Sequence, residues 1–154
     1  MGVQVTGLRD TRKALKELEP ETLKGLDREM RRILRTVTDS AKATAPRRTG
    51  EMAKGYKPSL GKANRLKSSY GWNIVNKTRQ GSILEFAGKA SRGNTTQGRS
   101  LIESLDRSYG KPGRFLWSAW DRHKGEVMPS VERAVQDTER AIQQMMDQAS
   151  GTGV

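Results

Sequence analysis

Apolar residues recur every three or four positions between Glu19 and Ala45, and this spacing predicts a long amphipathic helix. Pro20 fits the first turn, where its missing N–H is not needed, and Pro46 disfavours helical geometry at the residue before it. The predicted buried stripe consists of Leu23, Leu26, Met30, Ile33, Val37 and Ala41. The opposite face is strongly basic, with Lys24, Arg28, Arg31, Arg32 and Arg35 beside Asp27.

After Pro46 the pattern changes from helical spacing to alternation, which is typical of strands. Residues 52–57 fit a strand and 58–66 a loop, while 69–76 and 82–87 fit the two strands of a hairpin with a turn at 77–81. The hairpin residues predicted to form sheet core or an interface, with a base-stacking platform as the alternative, are Tyr70, Trp72, Ile74, Leu84 and Phe86.

Both ends of the chain carry weaker patterns. Residues 1–8 fit a short strand, and 10–18 fit a short helix capped by Asp10. Residues 88–113, rich in Gly, Ser and Arg, predict a long loop with one amphipathic turn around Ile102. A second long helix begins near Phe115, and Pro129 is expected to kink or restart it, with Met128 ending the first piece.

Together these elements predict an α+β fold. The long N-terminal helix and the C-terminal helix pack on a small, mostly antiparallel sheet that carries long basic loops. A chain of 154 residues is long enough for one domain with a core. We therefore expect a single domain over residues 1–149, with an extended loop at 88–113, and a flexible tail at 150–154.

The charge is concentrated in the middle third of the chain. The net charge is +12, and residues 46–99 contain 12 basic and 2 acidic residues, whereas residues 100–154 contain 7 basic and 8 acidic ones. Such an excess is typical of a solvated surface or of one that faces a polyanion, most simply nucleic acid.

Several kinds of chemistry lack the residues they need. The chain has no cysteine and a single histidine, His123, with no activated nucleophile beside it. Residues 55–62 (GYKPSLGK) depart from a phosphate-binding loop, because five residues separate the glycines and Ala63 follows the lysine. No membrane span, export signal, metal site or cofactor site is expected, and we do not expect an enzyme.

The order of motifs resembles the neck or tail-completion proteins of long-tailed bacteriophages, which join the head connector to the tail. The matching segments are VTGLRDTRKALKEL at 5–18, AKATAPRRTGEMAKG at 41–55, ILEFAG at 83–88 and KPGRFLWSAWDRHKGEV at 111–127. The likeness extends over nearly the whole chain, although each motif alone is short.

The resemblance implies a structural virion subunit that forms a homo-oligomeric ring, a hexamer or alternatively a dodecamer, at the head-to-tail junction. Its expected partners are neighbouring head-connector and tail-terminator or tail-tube proteins, with non-specific contact to packaged double-stranded DNA. Such a subunit is assembled in the host cytoplasm. The alternative, which the charge alone supports, is an autonomous nucleic-acid-binding protein.

Two sets of residues are candidates for these contacts. Basic side chains predicted to lie on loops, facing DNA or docking on a partner, are Lys54, Lys57, Lys62, Arg65, Lys67, Lys89, Arg92 and Arg99. Residues predicted to lie in a subunit interface are Arg47, Arg48, Trp72, Phe86, Phe115, Trp117 and Trp120. Trp117 and Trp120 are three residues apart and therefore share a helix face, with the core as their alternative location.

Overall fold

The computed structural model describes residues 12, 13, 15–17, 19–47, 49–62, 70–89 and 93–151. After a few helical residues at 12, 13 and 15–17, the elements follow in this order: α1 (Pro20–Thr44), α2 (Glu51–Gly55), β1 (Tyr56–Lys62), β2 (Tyr70–Asn76), α3 (Arg79–Phe86), α4 (Thr96–Tyr109) and α5 (Leu116–Gly151). The two strands form one antiparallel sheet, and most of the described residues are helical. The predicted α+β class with long N- and C-terminal helices is confirmed.

Helix α1 has the bounds that its sequence pattern predicts. Its 25 residues begin at Pro20 and end one residue before Ala45. Glu21 in the first turn and Lys42 in the last turn complement the helix dipole. Leu26 is half-buried, and the other five members of the predicted stripe are buried. Burial of each large one stabilises the fold by about 1.5–3 kcal/mol.

The chain divides into two compact units, one made of residues 1–34, 59–73 and 126–154, and the other of 35–58 and 74–125. In the first unit, α1 and α5 supply the buried apolar residues Leu23, Met30, Ile33, Leu34, Val127 and Ala134. There, Arg12 forms a salt bridge of 2.5 Å with Asp27 and lies 5.3 Å from the centre of the Trp72 ring. This pairing attaches the residues before α1 to the body of the unit.

The second unit has a core that combines apolar and polar side chains. Its buried apolar residues are Val37, Ala41, Ala45, Met52, Tyr56, Ile102, Leu105, Phe115 and Ala119. Three polar or charged residues of this unit are also buried, namely Thr38, Glu85 and Arg114. Helix α2 packs on α3 within this unit. The segment that follows Pro46 is therefore in contact with residues 79–86.

The predicted strand at 52–57 is wrong for residues 52–55, and the predicted loop at 58–66 is wrong for residues 58–62, while residues 63–66 lie outside the described ranges. Gly50 adopts a left-handed conformation (φ 69°) and starts the short helix α2, and the strand begins only at Tyr56. It then continues through Pro58 to Lys62. A proline is tolerated there because both strands of a two-stranded sheet are edge strands, where a missing N–H costs little.

The strand predicted at 69–76 is confirmed as β2 over its described residues 70–76, but its predicted partner at 82–87 is wrong, because residues 82–86 belong to helix α3. The partner of β2 is β1. The Thr78 hydroxyl caps α3 by accepting a hydrogen bond of 3.0 Å from the Gly81 N–H. The six residues 82–87 are too few for periodicity to distinguish a strand from a helix, and the cap decides the outcome.

The predicted loop at 88–113 contains the 14-residue helix α4 and is therefore wrong over most of its length. Thr95 caps the helix by accepting a hydrogen bond of 3.0 Å from the Gly98 N–H. Ile102 and Leu105 are buried, so the predicted amphipathic turn is one face of a full helix. Its glycine and serine content concealed the helix, because these residues are weak helix formers.

Helix α5 continues through Pro129 without restarting, so the predicted end at Met128 is wrong. The missing N–H removes one hydrogen bond to Gly125, and the bonds on either side maintain the helix. The helix also includes Ser150 and Gly151, the first residues of the predicted tail. The predicted strand at 1–8 and residues 152–154 lie outside the described ranges, and the helix predicted at 10–18 is seen at its described positions.

Candidate interaction surface

The second unit presents a basic surface that its own acids do not compensate. Among the described residues of the basic middle third, seven side chains are exposed, and none of them forms a salt bridge with a described carboxylate. These seven exposed cations, which are distributed over α2, β1, α3, α4 and the segments between them, are together called the basic surface: Arg47, Lys54, Lys57, Lys77, Arg79, Lys89 and Arg99. Of the two acids in this stretch, Glu51 is exposed and Glu85 is buried. The surface is therefore open to an external anion.

The elements place the predicted basic residues differently from what the sequence pattern indicated. Lys54 lies in helix α2, Lys57 in strand β1 and Arg99 in the first turn of helix α4, so these three are held by secondary structure rather than by loops. Lys89 follows α3 and lies 5.6 Å from the centre of the Phe86 ring. Lys62 ends β1, and Arg65, Lys67 and Arg92 lie outside the described residues. Lys77 and Arg79 were not among the predicted residues, although the excess charge of their stretch could have suggested them.

The predicted interface residues divide into exposed and buried ones. Phe86 and Trp117 are each 39% exposed, whereas Phe115 is only 3% exposed and belongs to the core of its unit. Trp72 and Trp120 are half-buried, Arg47 is exposed, and Arg48 lies outside the described residues. Exposure therefore leaves Phe86 and Trp117 as the aromatic side chains best able to contact a partner.

A buried polar network, which sequence analysis missed, fixes the start of helix α5. The carboxyl group of Glu85 accepts hydrogen bonds from the Tyr56 hydroxyl (2.5 Å), the Phe115 N–H (3.1 Å) and the Leu116 N–H (2.9 Å). Burial, together with this bond to Glu85, raises the pKa of Tyr56, so the phenol remains protonated as a donor. A glutamate in the middle of an apolar run was the only sequence signal.

Arg114 completes the network from the other side. Its guanidinium donates to the carbonyl oxygens of Leu84 (3.0 Å), Glu85 (3.3 Å) and Ala87 (3.1 Å), which belong to the last turn of α3 and the residue after it. It also forms a salt bridge of 2.7 Å with Asp106 in α4. A cation at a helix C-terminus is stabilising, so one side chain connects α3, α4 and the start of α5.

An open groove of about 600 Å³ lies where α5 begins. It is lined by Tyr109, Lys111, Gly113, Arg114, Trp117, Ser118, Asp121 and Arg122. Gly113 has φ 90°, and a Cβ atom added there would collide with Trp117. The lining of the groove combines exposed aromatic side chains with cations. Aromatic residues and arginine are enriched at protein interfaces, so the groove suits contact with a protein surface.

The side chain of Asn76 has a structural role within the second unit. Its side-chain amide donates to the Met52 carbonyl (2.9 Å), and its oxygen accepts from the Thr78 N–H (3.0 Å). Cβ atoms added at Gly55 or Gly81 would collide with this amide. The amide therefore connects α2, β2 and α3.

The described residues contain no group of three or more His, Cys, Asp or Glu side chains that could hold a metal ion. In the same part of the chain, no helix has the length and apolar character needed to cross a membrane. Comparison of the chain with protein-family models, with curated proteins and with solved structures finds no match.

Proposed function

We propose that this chain is a structural subunit of the head-to-tail connector of a long-tailed bacteriophage, a neck or tail-completion protein that forms a ring around the DNA channel. The basic surface of the second unit is the observation that carries the proposal, because its seven exposed cations lack described carboxylate partners. The motif order that resembles this family supplies the ring and the position in the virion.

A DNA channel needs this kind of surface. The genome must slide through during packaging and ejection, so the wall should attract phosphates without reading bases. Lysine and arginine side chains that project from helices and a strand provide sequence-independent contacts that salt can screen. Helix α2, strand β1 and helix α4 hold Lys54, Lys57 and Arg99 in this way.

The alternative function is an autonomous nucleic-acid-binding protein, which the same basic surface favours. The two functions differ in what the purified full-length chain does alone. A connector subunit forms closed rings, which electron microscopy and sedimentation velocity detect, and has little affinity for free duplex. An autonomous binding protein binds duplex as a monomer, with an affinity that falls steeply as salt is added.

A matched pair of variants tests the role of the basic surface. The first variant replaces Lys54, Lys57, Lys89 and Arg99 by glutamine. The control replaces the same number of cations, all engaged in salt bridges, namely Lys24, Lys42, Lys124 and Arg140. In phage particles assembled with each variant, we expect normal assembly and altered ejection kinetics for the first variant only.

Two outcomes would contradict parts of this proposal. Heads and tails that fail to join in the first variant would show that the basic surface docks on acidic subunits instead of facing DNA. A purified chain that stays monomeric and binds free duplex would support the autonomous nucleic-acid-binding function. In that case, each lost phosphate contact should reduce the slope of log affinity against log salt by about 0.9.

A further inference from the structure

The groove at the start of helix α5 is lined by two exposed aromatic side chains and by exposed cations. Trp117 is 39% exposed and Tyr109 is 43% exposed. Lys111 and Arg122 are exposed beside them. Tryptophan, tyrosine and arginine are enriched among the residues that contribute most to binding near the centres of protein interfaces.

The charges of this groove are only partly compensated within the chain. Lys111 forms a salt bridge of 2.8 Å with Asp106, which also pairs with the buried Arg114, and Asp121 pairs with Lys124 at 3.0 Å. Among the described residues, Arg122 donates to the backbone oxygen (3.3 Å) and the hydroxyl (3.4 Å) of Ser118 and forms no salt bridge. The described lining thus has a positive excess, to which Arg122 contributes an uncompensated charge.

A surface with the opposite pattern lies on the C-terminal half of α5. Glu132, Val135, Glu139 and Met146 are spaced by three, four and seven residues, which places them on one side of the helix. All four are exposed, with Val135 at 38% and Met146 at 59%. Neither glutamate forms a salt bridge with a described residue. We call these four residues the acidic stripe.

We propose that the acidic stripe of one copy of this chain docks in the groove of a second copy. Glutamates beside Val135 and Met146 match cations beside Trp117 and Tyr109, so charge and apolar surface are both complementary. The two surfaces differ, so every copy carries one of each, and such a heterologous contact repeats from copy to copy and can close into a ring. The inference rests on the proposed ring and assigns the residues that join its subunits.

A charge swap tests this contact by sedimentation velocity of the full-length chain. Arg122→Glu and Glu139→Arg should each weaken self-association about tenfold, because each places like charges opposite one another. The double variant R122E/E139R should restore association to within about threefold of the wild-type value. Arg107→Glu and Glu103→Lys make comparable charge changes on exposed positions of α4 outside both surfaces and should leave association unchanged.

The outcomes separate this docking from the connector function. Rings that survive Arg122→Glu as well as they survive Arg107→Glu would overturn the docking, point to a different acidic partner in the groove and leave the connector function standing. Failure of the double variant to restore association would also overturn it. A wild-type chain that never self-associates would overturn both the ring and the docking. Thermal unfolding of each variant confirms that a lost association does not reflect a lost fold.

Discussion

At the scale of single residues, the second unit depends on two buried charged side chains with complementary tasks. Glu85 accepts from the N–H of Leu116, which begins helix α5, and from that of Phe115 just before it, and Arg114 donates to the last carbonyl oxygens of α3. Helix ends leave such groups without intrahelical partners, and burial without a substitute would be costly. The pair therefore allows two helix ends to meet inside the protein.

Replacing Glu85 by alanine should destabilise the chain by more than about 3 kcal/mol, because each of the three donors left without an acceptor costs about 1–3 kcal/mol. Tyr56→Phe removes only the hydroxyl donor and should cost about 1–2 kcal/mol. Denaturant unfolding followed by circular dichroism measures both values. Glu103→Ala, at an exposed position of α4, is the control and should stay within about 0.5 kcal/mol. Equal stability of the Glu85 and Glu103 variants would disprove the capping role.

Asp106 should make stability depend on pH in the acid range. Hydrogen bonds from Lys111 and then Arg114 lower the pKa of this carboxyl below its ordinary value of 3.8. A pKa depressed in the folded state stabilises the fold above the unfolded value, and this stability is lost as the pH falls through the folded pKa.

We therefore expect Asp106→Asn to lower the thermal midpoint at pH values well above 3.8. The difference in thermal midpoint between this variant and the wild type should disappear as the pH drops below that value. Asp137→Asn is the control, since Asp137 is exposed and lies 3.5 Å from Arg140, and it should give a small gap at every pH. A gap for Asp106→Asn that stays constant would contradict this linkage.

At the scale of elements, short polar caps decide which segments become helices. Thr78 and Thr95 each accept a hydrogen bond from the N–H three residues later. Helix α3 starts directly after Thr78, and helix α4 starts directly after Thr95. Such caps satisfy donors that would otherwise lack partners. They start helices in stretches whose glycine content favours loops.

Thr95→Ala should destabilise α4 by about 0.5–2 kcal/mol, because the Gly98 N–H loses its acceptor. Thr96→Ala, at the next position and exposed, makes the same chemical change without removing a cap and serves as the control. Hydrogen exchange of the α4 amides shows whether the loss is local. Equal protection of α4 in both variants would show that Thr95 does not cap the helix.

Ile33→Ala in α1 should cost about 2–5 kcal/mol, because Ile33 is buried and the truncation leaves a cavity. Arg31→Ala, on the exposed face of the same helix, should cost less than about 0.5 kcal/mol. Both are measured by denaturant unfolding. Similar values for the two variants would show that α1 does not bury the stripe.

At the scale of the whole molecule, the net charge of +12 should limit the stability of the isolated chain. Like charges repel one another in the compact state, and salt screens this repulsion within about 10 Å at moderate ionic strength. The thermal midpoint of the purified chain should therefore rise as salt is added. The variant with glutamine at Lys54, Lys57, Lys89 and Arg99 should show a smaller rise in the thermal midpoint. The control variant, in which the salt-bridged cations are replaced, should show a larger one. Equal slopes would show that the basic surface does not cause the repulsion.

The residue pattern alone predicted the fold class, both long helices and strand β2. Each of these rests on a repeated signal, such as the stripe from Leu23 to Ala41 in α1 or the alternation from Tyr70 to Asn76. Periodic burial over many residues constrains the backbone strongly, because a different element would expose the same apolar side chains to water. The concentration of charge in residues 46–99 was equally visible, since it is a property of composition.

The residue pattern did not predict the partner of β2, the helices α3 and α4, or the network around Glu85, because each of them depends on contacts made in the folded chain. Residues 82–87 are too short for their period to be diagnostic, and the pairing of β1 with β2 depends on contacts between distant parts of the chain. In the sequence nothing distinguishes Arg114 from the other arginines, whereas in the structure it is buried and contacts α3 and α4. The groove and the placement of the basic surface arose in the same way, because exposure and neighbours are properties of the folded chain and not of residue spacing.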